Sequence, residues 1–319
     1  MFLLDQHPEY EPRTSRTLLL VHVFCMHHTV PPELSLKHLL RAYSSGMASG
    51  DVENAAWNIH SFMVYAVYLG KNLDAIDQDY EVYYNQVKSY NQLLQLTLMG
   101  FQRQVVQCLL GRVSNPLRLK GDACDVDTFV PKDKHQAAVL ACKEHDLAAF
   151  MGDDETCAKL SVSVRKDFSE ADLSPGTIDG AILELHSAMC CYGMVRKTGA
   201  RIYLGVARRA HGHVKSLERN GSVSYKHISH IVDAELAALK GKRLQAKQHY
   251  EAAILTSARR GAVNYQGIAN ERFGDYMLDC GDTDEAEYRW KNAIELYQYW
   301  GACAKVQQVE EKLASLYQP

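Results

Sequence analysis

The amino-acid sequence predicts an all-α fold, an αα-superhelix in which helical repeats stack as a solenoid, on three observations. Segments 241–254 and 281–294 superimpose without a gap at a shift of forty residues, pairing Gly241 with Gly281, Ala246 with Ala286, Tyr250 with Trp290, Ala253 with Ala293 and Ile254 with Ile294. A period within about 20–50 residues marks units that bury their apolar faces only by stacking on neighbours. Only eight prolines occur in 319 residues, and no segment sustains the period-2 alternation of a half-buried strand. Within 283–300, Ala286, Trp290, Ala293, Ile294 and Tyr297 recur at the spacing of one stripe of an amphipathic helix.

Taken in chain order, residues 1–15 read as an N-terminal tail and 16–319 as a single helical-repeat domain with a sub-boundary near 111–131. The apolar run 17–26 is shorter than the about 20 residues a membrane helix needs. Asp5, Glu9 and Glu11 stand where a secretory signal carries basic residues. Pro31-Pro32 breaks the pattern, and helices follow from three glycine turns. Gly50-Asp51 leads to Ala55, Ile59 and Phe62, Gly70 leads to Ala75 and Val82, and Gly152-Asp153 leads to Cys157 and Val164. Asn115-Pro116, Ser174-Pro175-Gly176 and Asn220-Gly221-Ser222 mark further turns. None of these is long enough for a flexible linker, so one continuous superhelix of about five units is expected.

The two C-terminal units are the clearest. Small or apolar helical runs at 234–239 and 273–278 precede Gly241 and Gly281, and the striped helices follow. Two antiparallel helices approach closely where Ala or Gly replaces a larger side chain, while an aromatic ring fills the space beside them. Ala234, Ala237, Gly241, Ala246, Tyr250 and Ala253 form one such set of packing positions. Phe273, Gly274, Gly281, Ala286, Trp290 and Ala293 form the other, with Trp300 closing the last stripe. These spacings resemble the tetratricopeptide pattern. The forty-residue period exceeds the ~34 of that repeat and no Pro closes either unit, which implies longer helices.

From 16 to 310 the chain also resembles the helical-repeat region that follows the ATPase module in AAA-type ATPase-linked hybrid histidine kinases and related serine/threonine kinases. The resemblance rests on Arg16-Thr17-Leu18-Leu19-Leu20-Val21 with His27-His28, on Ala42-Tyr43 before Gly50-Asp51, and on Gln104, Val105 and Leu109-Leu110-Gly111 with Leu119 and Gly121. Asp233-Ala234-Glu235-Leu236 with Gly241, Ala269-Asn270-Glu271 and Trp300-Gly301-Ala302 before Ala304-Lys305-Val306 complete it. It implies a regulatory, protein-binding segment placed between a nucleotide-binding switch and downstream sensor and kinase modules. Neither module is in this sequence, so a stand-alone derivative or a fragment of a multidomain signalling protein is expected, without kinase or ATPase activity.

No catalytic pattern emerges. A phosphate-cradling G-x-x-x-x-G-K-[ST] loop, H-E-x-x-H and G-x-S-x-G are absent. Ser229-His230 lacks the acidic residue of a phosphoacceptor histidine. Cys25 with His27 and His28, His186 with Cys190, and His227 with His230 offer two or three metal ligands each, short of a four-ligand set. Asp122, Asp125 and Asp127 lack the central Gly of a calcium loop and place Cys124 and Val126 at ligand slots. No cofactor, no metal and no enzyme activity are therefore expected.

A net charge of −3 gives no general attraction to nucleic acid or anionic lipid. Nine cysteines without regular spacing suit a reducing compartment, so a cytoplasmic location is expected. One segment is strongly basic: Arg196, Lys197, Arg201, Arg208, Arg209, Lys215 and Arg219, with Glu218 its only acid. It reads as a solvated helical face, or alternatively as a site for a phosphorylated ligand or nucleic acid. The leading expectation is a protein–protein interaction scaffold whose concave groove receives a protein or peptide, including an ATPase or kinase module in cis or in trans. Glu235, Lys240, Asn270 and Asp275, on the first helices of their pairs, are expected to face that groove.

Overall fold

Every regular element among the described residues is helical, and β structure is confined to one isolated bridge, Lys120 with Asp125. The computed structural model describes residues 11–170, 176–222 and 224–317. Helix α1 (Glu11–Val21) runs into a π-helical turn (His22–Met26) and one α-turn (His27–Thr29). Six hairpins follow: α2 (Glu33–Ser49) with α3 (Val52–Tyr68), α4 (Leu73–Ser89) with α5 (Leu93–Leu109), and α6 (Lys134–Met151) with α7 (Asp154–Glu170). The last three are α8 (Ile178–Thr198) with α9 (Leu204–Arg219), α10 (Lys226–Leu239) with α11 (Arg243–Arg260), and α12 (Val263–Asp279) with α13 (Thr283–Trp300). Helix α14 (Cys303–Ser315) packs on α13 and returns to α5.

The C-terminal pairs explain why the repeat has its residues. α11 buries the single stripe Ala246, Tyr250, Ala253 and Ser257, and α13 buries Ala286, Trp290, Ala293, Tyr297 and Trp300. Ala234, Ala237 and Phe273 lie on the facing first helices and are buried too. Tyr250 stacks on Phe273 with ring centres 5.2 Å apart. Gly241 and Gly281 turn the chain at φ of +68° and +77°, a region that costs a residue with a side chain about 1–2 kcal/mol.

Gly274 has a different duty. A Cβ there would lie 2.6 Å from the Trp290 ring and 3.1 Å from the Ala286 carbonyl oxygen, so the missing side chain is what lets α12 meet α13. Gly274→Ala is expected to destabilise the protein by about 1–3 kcal/mol through overpacking. Gly212→Ala, in α9 with open space around it, is expected to stabilise by roughly 0.5–1 kcal/mol. Urea denaturation midpoints of the two variants distinguish these outcomes.

The hairpins divide into inner and outer helices. α3, α5, α6, α8, α10 and α12 are buried around much of their circumference, whereas α11 and α13 bury one stripe only. In the first two hairpins the second helix is inner; from α6 onward the first helix is. The irregular segment between α5 and α6 is where the phase changes. It is tied down, because Gln104 Oε1 accepts hydrogen bonds from the Ala123 and Cys124 amides at 3.2 and 3.1 Å, and Phe129 packs edge-on against Phe101. One continuous apolar core runs from Leu39 to Val309, so 111–131 is an internal phase change within it.

The N-terminal expectation needs a correction. The chain is already helical at Glu11, ahead of residue 16, and Thr14 and Ser15 are fully buried. A short polar side chain is tolerated inside where a partner is at hand: Asn58 Nδ2 donates to Ser15 Oγ at 3.2 Å and to the Ser15 carbonyl at 3.0 Å.

The chain also returns on itself. Asn264, at the start of α12, donates to the carbonyls of Val67 and Tyr68 at the end of α3. Arg260 pairs with Glu33 at 3.2 Å, His27 with the Tyr225 hydroxyl at 2.5 Å, and Asn72 donates to the Tyr299 carbonyl. N-terminal hairpins thereby touch C-terminal ones.

Candidate functional site

Because the inner helices close on one another, the central space is occupied by the chain's own side chains. Phe150, His186, Tyr265 and Trp300 form an aromatic cluster there. This overturns part of the groove expectation. Glu235 is fully buried and accepts from Arg272 Nε at 2.6 Å and the Tyr250 hydroxyl at 2.8 Å. Asn270 is buried with its amide donating to the Gln266 carbonyl. Asp275 is half-buried against Trp290 Nε1 and Lys312, and Lys240 alone is exposed, at the end of α10. The physical reason is that the first helices are packed on most sides and cut off from solvent, so their polar groups survive only where the protein supplies a partner, as Arg272 of the next hairpin and Tyr250 of the same one do for Glu235.

One such polar set links α3, α6 and α8. Lys143 Nζ donates to Asp179 Oδ1 at 2.6 Å and to the Tyr68 hydroxyl at 3.2 Å, and lies 3.6 Å from Asp146. Burial disfavours the Lys143 charge, and the Asp179 and Asp146 carboxylates more than offset this, holding its pKa above the ordinary lysine value. Burial likewise opposes ionisation of Asp146, but its hydrogen bond with His186 and the Lys143 charge prevail and hold it at about 2. Tyr68 donates to both Asp146 and Asp179. His186 spans the set to the far side, with Nδ1 3.1 Å from Asp146 and Nε2 3.1 Å from the Tyr265 hydroxyl.

Lys143 and Asp179 also form the polar end of a cavity of about 440 Å³. Leu19 of α1 and Val23 and Phe24 of the π-helical turn wall one side, and Trp57, His60, Val64 and Tyr65 of α3 wall another. Leu98 of α5, Val139 and Cys142 of α6 and Ile178 of α8 are also on the apolar lining. π-Helical turns are rare and concentrate at functional sites. His60 is 9% exposed, packs edge-on to Trp57, and its Nδ1 has no hydrogen-bond partner; burial lowers its pKa to about 4, so the ring is neutral at neutral pH. Nε2 of His135, also on the lining, is buried without a partner.

The basic segment does not form one patch. Arg196 lies over the Tyr276 ring and pairs with Asp279, with its side chain 11% exposed. Lys197 pairs with Asp154 at 3.1 Å, and Lys215 with Asp233 at 2.7 Å and Glu218 at 3.0 Å. Arg201, Arg208, Arg209 and Arg219 remain exposed on the 3-10 turn and α9. The metal-ligand spacings are likewise dispersed. Cys25 is exposed while His27 turns to Tyr225 and the Gly176 carbonyl. His186 meets Asp146 and Tyr265 rather than Cys190, and His227 is buried against Tyr265 while His230 gathers with Asp233 and His249. Asp127 is held by Arg118 and Lys120, which neutralise the loop from within.

Sequence reasoning missed the cavity because its residues come from helices far apart in the chain. Nothing in the local order of Lys143-Glu144-His145-Asp146 marks an interior position, yet Lys143, His145 and Asp146 are buried. No family model, no curated protein and no solved structure matches the chain. Among the described residues, no helix is long and apolar enough to cross a membrane.

Proposed function

We propose that the chain is a non-catalytic, tetratricopeptide-like regulatory module that binds a protein partner in the cytoplasm, of the kind that couples an ATPase switch to kinase modules. The observation that carries this reading is the forty-residue hairpin unit: Gly241 and Gly281 make the same left-handed turn, and Ala246 and Ala286, Tyr250 and Trp290, and Ala253 and Ala293 occupy equivalent buried positions on α11 and α13. Residues spent on inter-hairpin packing make a rigid display frame. With the inner face filled, the partner engages the outer helices, where Leu244, Leu255, Tyr288 and Tyr299 stand more than half exposed. Exposed aromatic and aliphatic side chains of this kind are the usual anchors of protein interfaces.

The test is co-elution of the purified chain with a separately produced AAA-type ATPase module of the resembling signalling proteins, together with the ATP turnover of that module. Complex formation and a change in turnover, both reduced by Tyr288→Glu or Leu255→Glu, are expected. No co-elution and unchanged turnover would reject the reading.

A further inference from the structure

Beyond the scaffold role, we propose that the cavity between α1, α3, α6 and α8 is a binding site for a small, mostly apolar molecule that carries a protonated amine. Its volume of about 440 Å³ falls within the roughly 300–1,000 Å³ of ligand pockets, and it has their composition, apolar walls with a few converging polar groups.

The sign of the ligand's charge follows from the groups at the polar end. The ammonium of Lys143 is shared between Asp179, on the lining, and Asp146 behind it. One cation between two carboxylates leaves a negative charge that favours a second cation over an anion. The start of α8 does not reverse this, because the Asp179 carboxylate stands in its first turn and offsets the positive end of the helix, and the Gly180 amide is capped by Thr177 Oγ1.

Two further features fit an amine on an apolar body. Trp57, Tyr65 and Phe24 present aromatic surface to the cavity, and ring faces attract cations. His60 supplies an imidazole whose Nδ1 lacks a partner although the residue is nine-tenths buried. A buried polar atom left unpartnered calls for a ligand group, since such atoms are otherwise nearly always satisfied. Phe24 is 41% exposed on the π-helical turn, which places it at the mouth.

Fluorescence titration with dansylcadaverine, an aromatic body with a primary amine, tests the site against dansyl-6-aminohexanoate, the same body with a carboxylate. Saturable one-to-one binding of the amine, with the carboxylate at least about tenfold weaker, is expected. Val139→Trp, which fills the cavity, should abolish amine binding. Asp179→Asn should weaken it about tenfold and erase the preference over the carboxylate. Glu53→Gln, on an exposed residue at the other end of α3, is the control, expected to leave both amine binding and the circular dichroism melt unchanged. Absence of saturable binding, equal affinity for the two probes, or amine binding that survives Val139→Trp would each overturn the proposal.

Discussion

Acidification from neutral pH to about pH 5 is expected to unfold the protein or bring it close to unfolding. His60, His145 and His227 are buried, and burial lowers their pKa values from 6.5 to about 4, about 3 and about 3. In the unfolded chain each titrates near 6.5, so below that value the unfolded state takes up protons that the folded state does not. Their contribution is therefore complete above about pH 6.5 and is lost as the pH falls toward the folded values of 3 to 4. Each costs about 1.4 kcal/mol per pH unit across that window, and three of them across one and a half units cost about 6 kcal/mol. That is comparable with the whole stability of a typical domain, about 5–15 kcal/mol. His22 and His27, each lowered by burial to about 4, act in the same direction. Urea midpoints measured at a series of pH values should fall steeply below about pH 6.5. A midpoint that stays level down to pH 5 would mean these rings are not buried as described.

The second large effect lies at Arg272. Its guanidinium donates to Asp154 at 2.8 and 3.3 Å, to Glu235 at 2.6 Å and to the Met189 carbonyl at 3.3 Å, with the side chain 8% exposed. Gly193 makes room for the cluster, since a Cβ there would stand 2.5 Å from Asp154 and 2.6 Å from Arg272. Arg272→Met removes one cation and leaves two buried carboxylates, an arrangement that costs about 3–5 kcal/mol. Arg196 and Lys197 approach the same carboxylates but at longer range or from a more exposed position, and do not replace it. Lys197→Met, on a side chain 42% exposed, should cost no more than about 1 kcal/mol. The same pair of variants in a denaturant series separates a buried lattice from a surface ornament: similar losses for both would refute the buried arrangement.

The C-terminal repeat was legible because α11 and α13 lie on the outside, where a helix has one wet and one dry side and its stripe shows in the residue order. The inner helices were harder to read in detail. Glu235 and Asn270 look like groove-facing polar residues, and hydropathy does not distinguish a carboxylate facing water from one facing a guanidinium on the next hairpin. Arg272 finds Asp154 at a separation of 118 residues, which no local pattern records. The change of phase between α5 and α6 is hidden for a related reason. Glycine turns mark where hairpins bend, as at Gly50 and Gly152, but not which arm of the hairpin goes inside. The cavity draws on α1, α3, α6 and α8 at once, and only the winding of the chain brings Trp57, Val139 and Asp179 to one place.

All of this depends on the turn being closed, with the end of α5 lying against the start of α14. A Cβ at position 111 would stand 3.8 Å from Cys303 Cβ, close to the mean separation of about 3.8 Å in disulfides. The Gly111→Cys variant, despite the φ of +72° there, should therefore form a bond between position 111 and Cys303 within one chain on mild oxidation, identified by peptide mapping of the monomer. If position 111 stays reduced under those conditions, or links only to another molecule, the two ends do not meet and the closed turn is wrong.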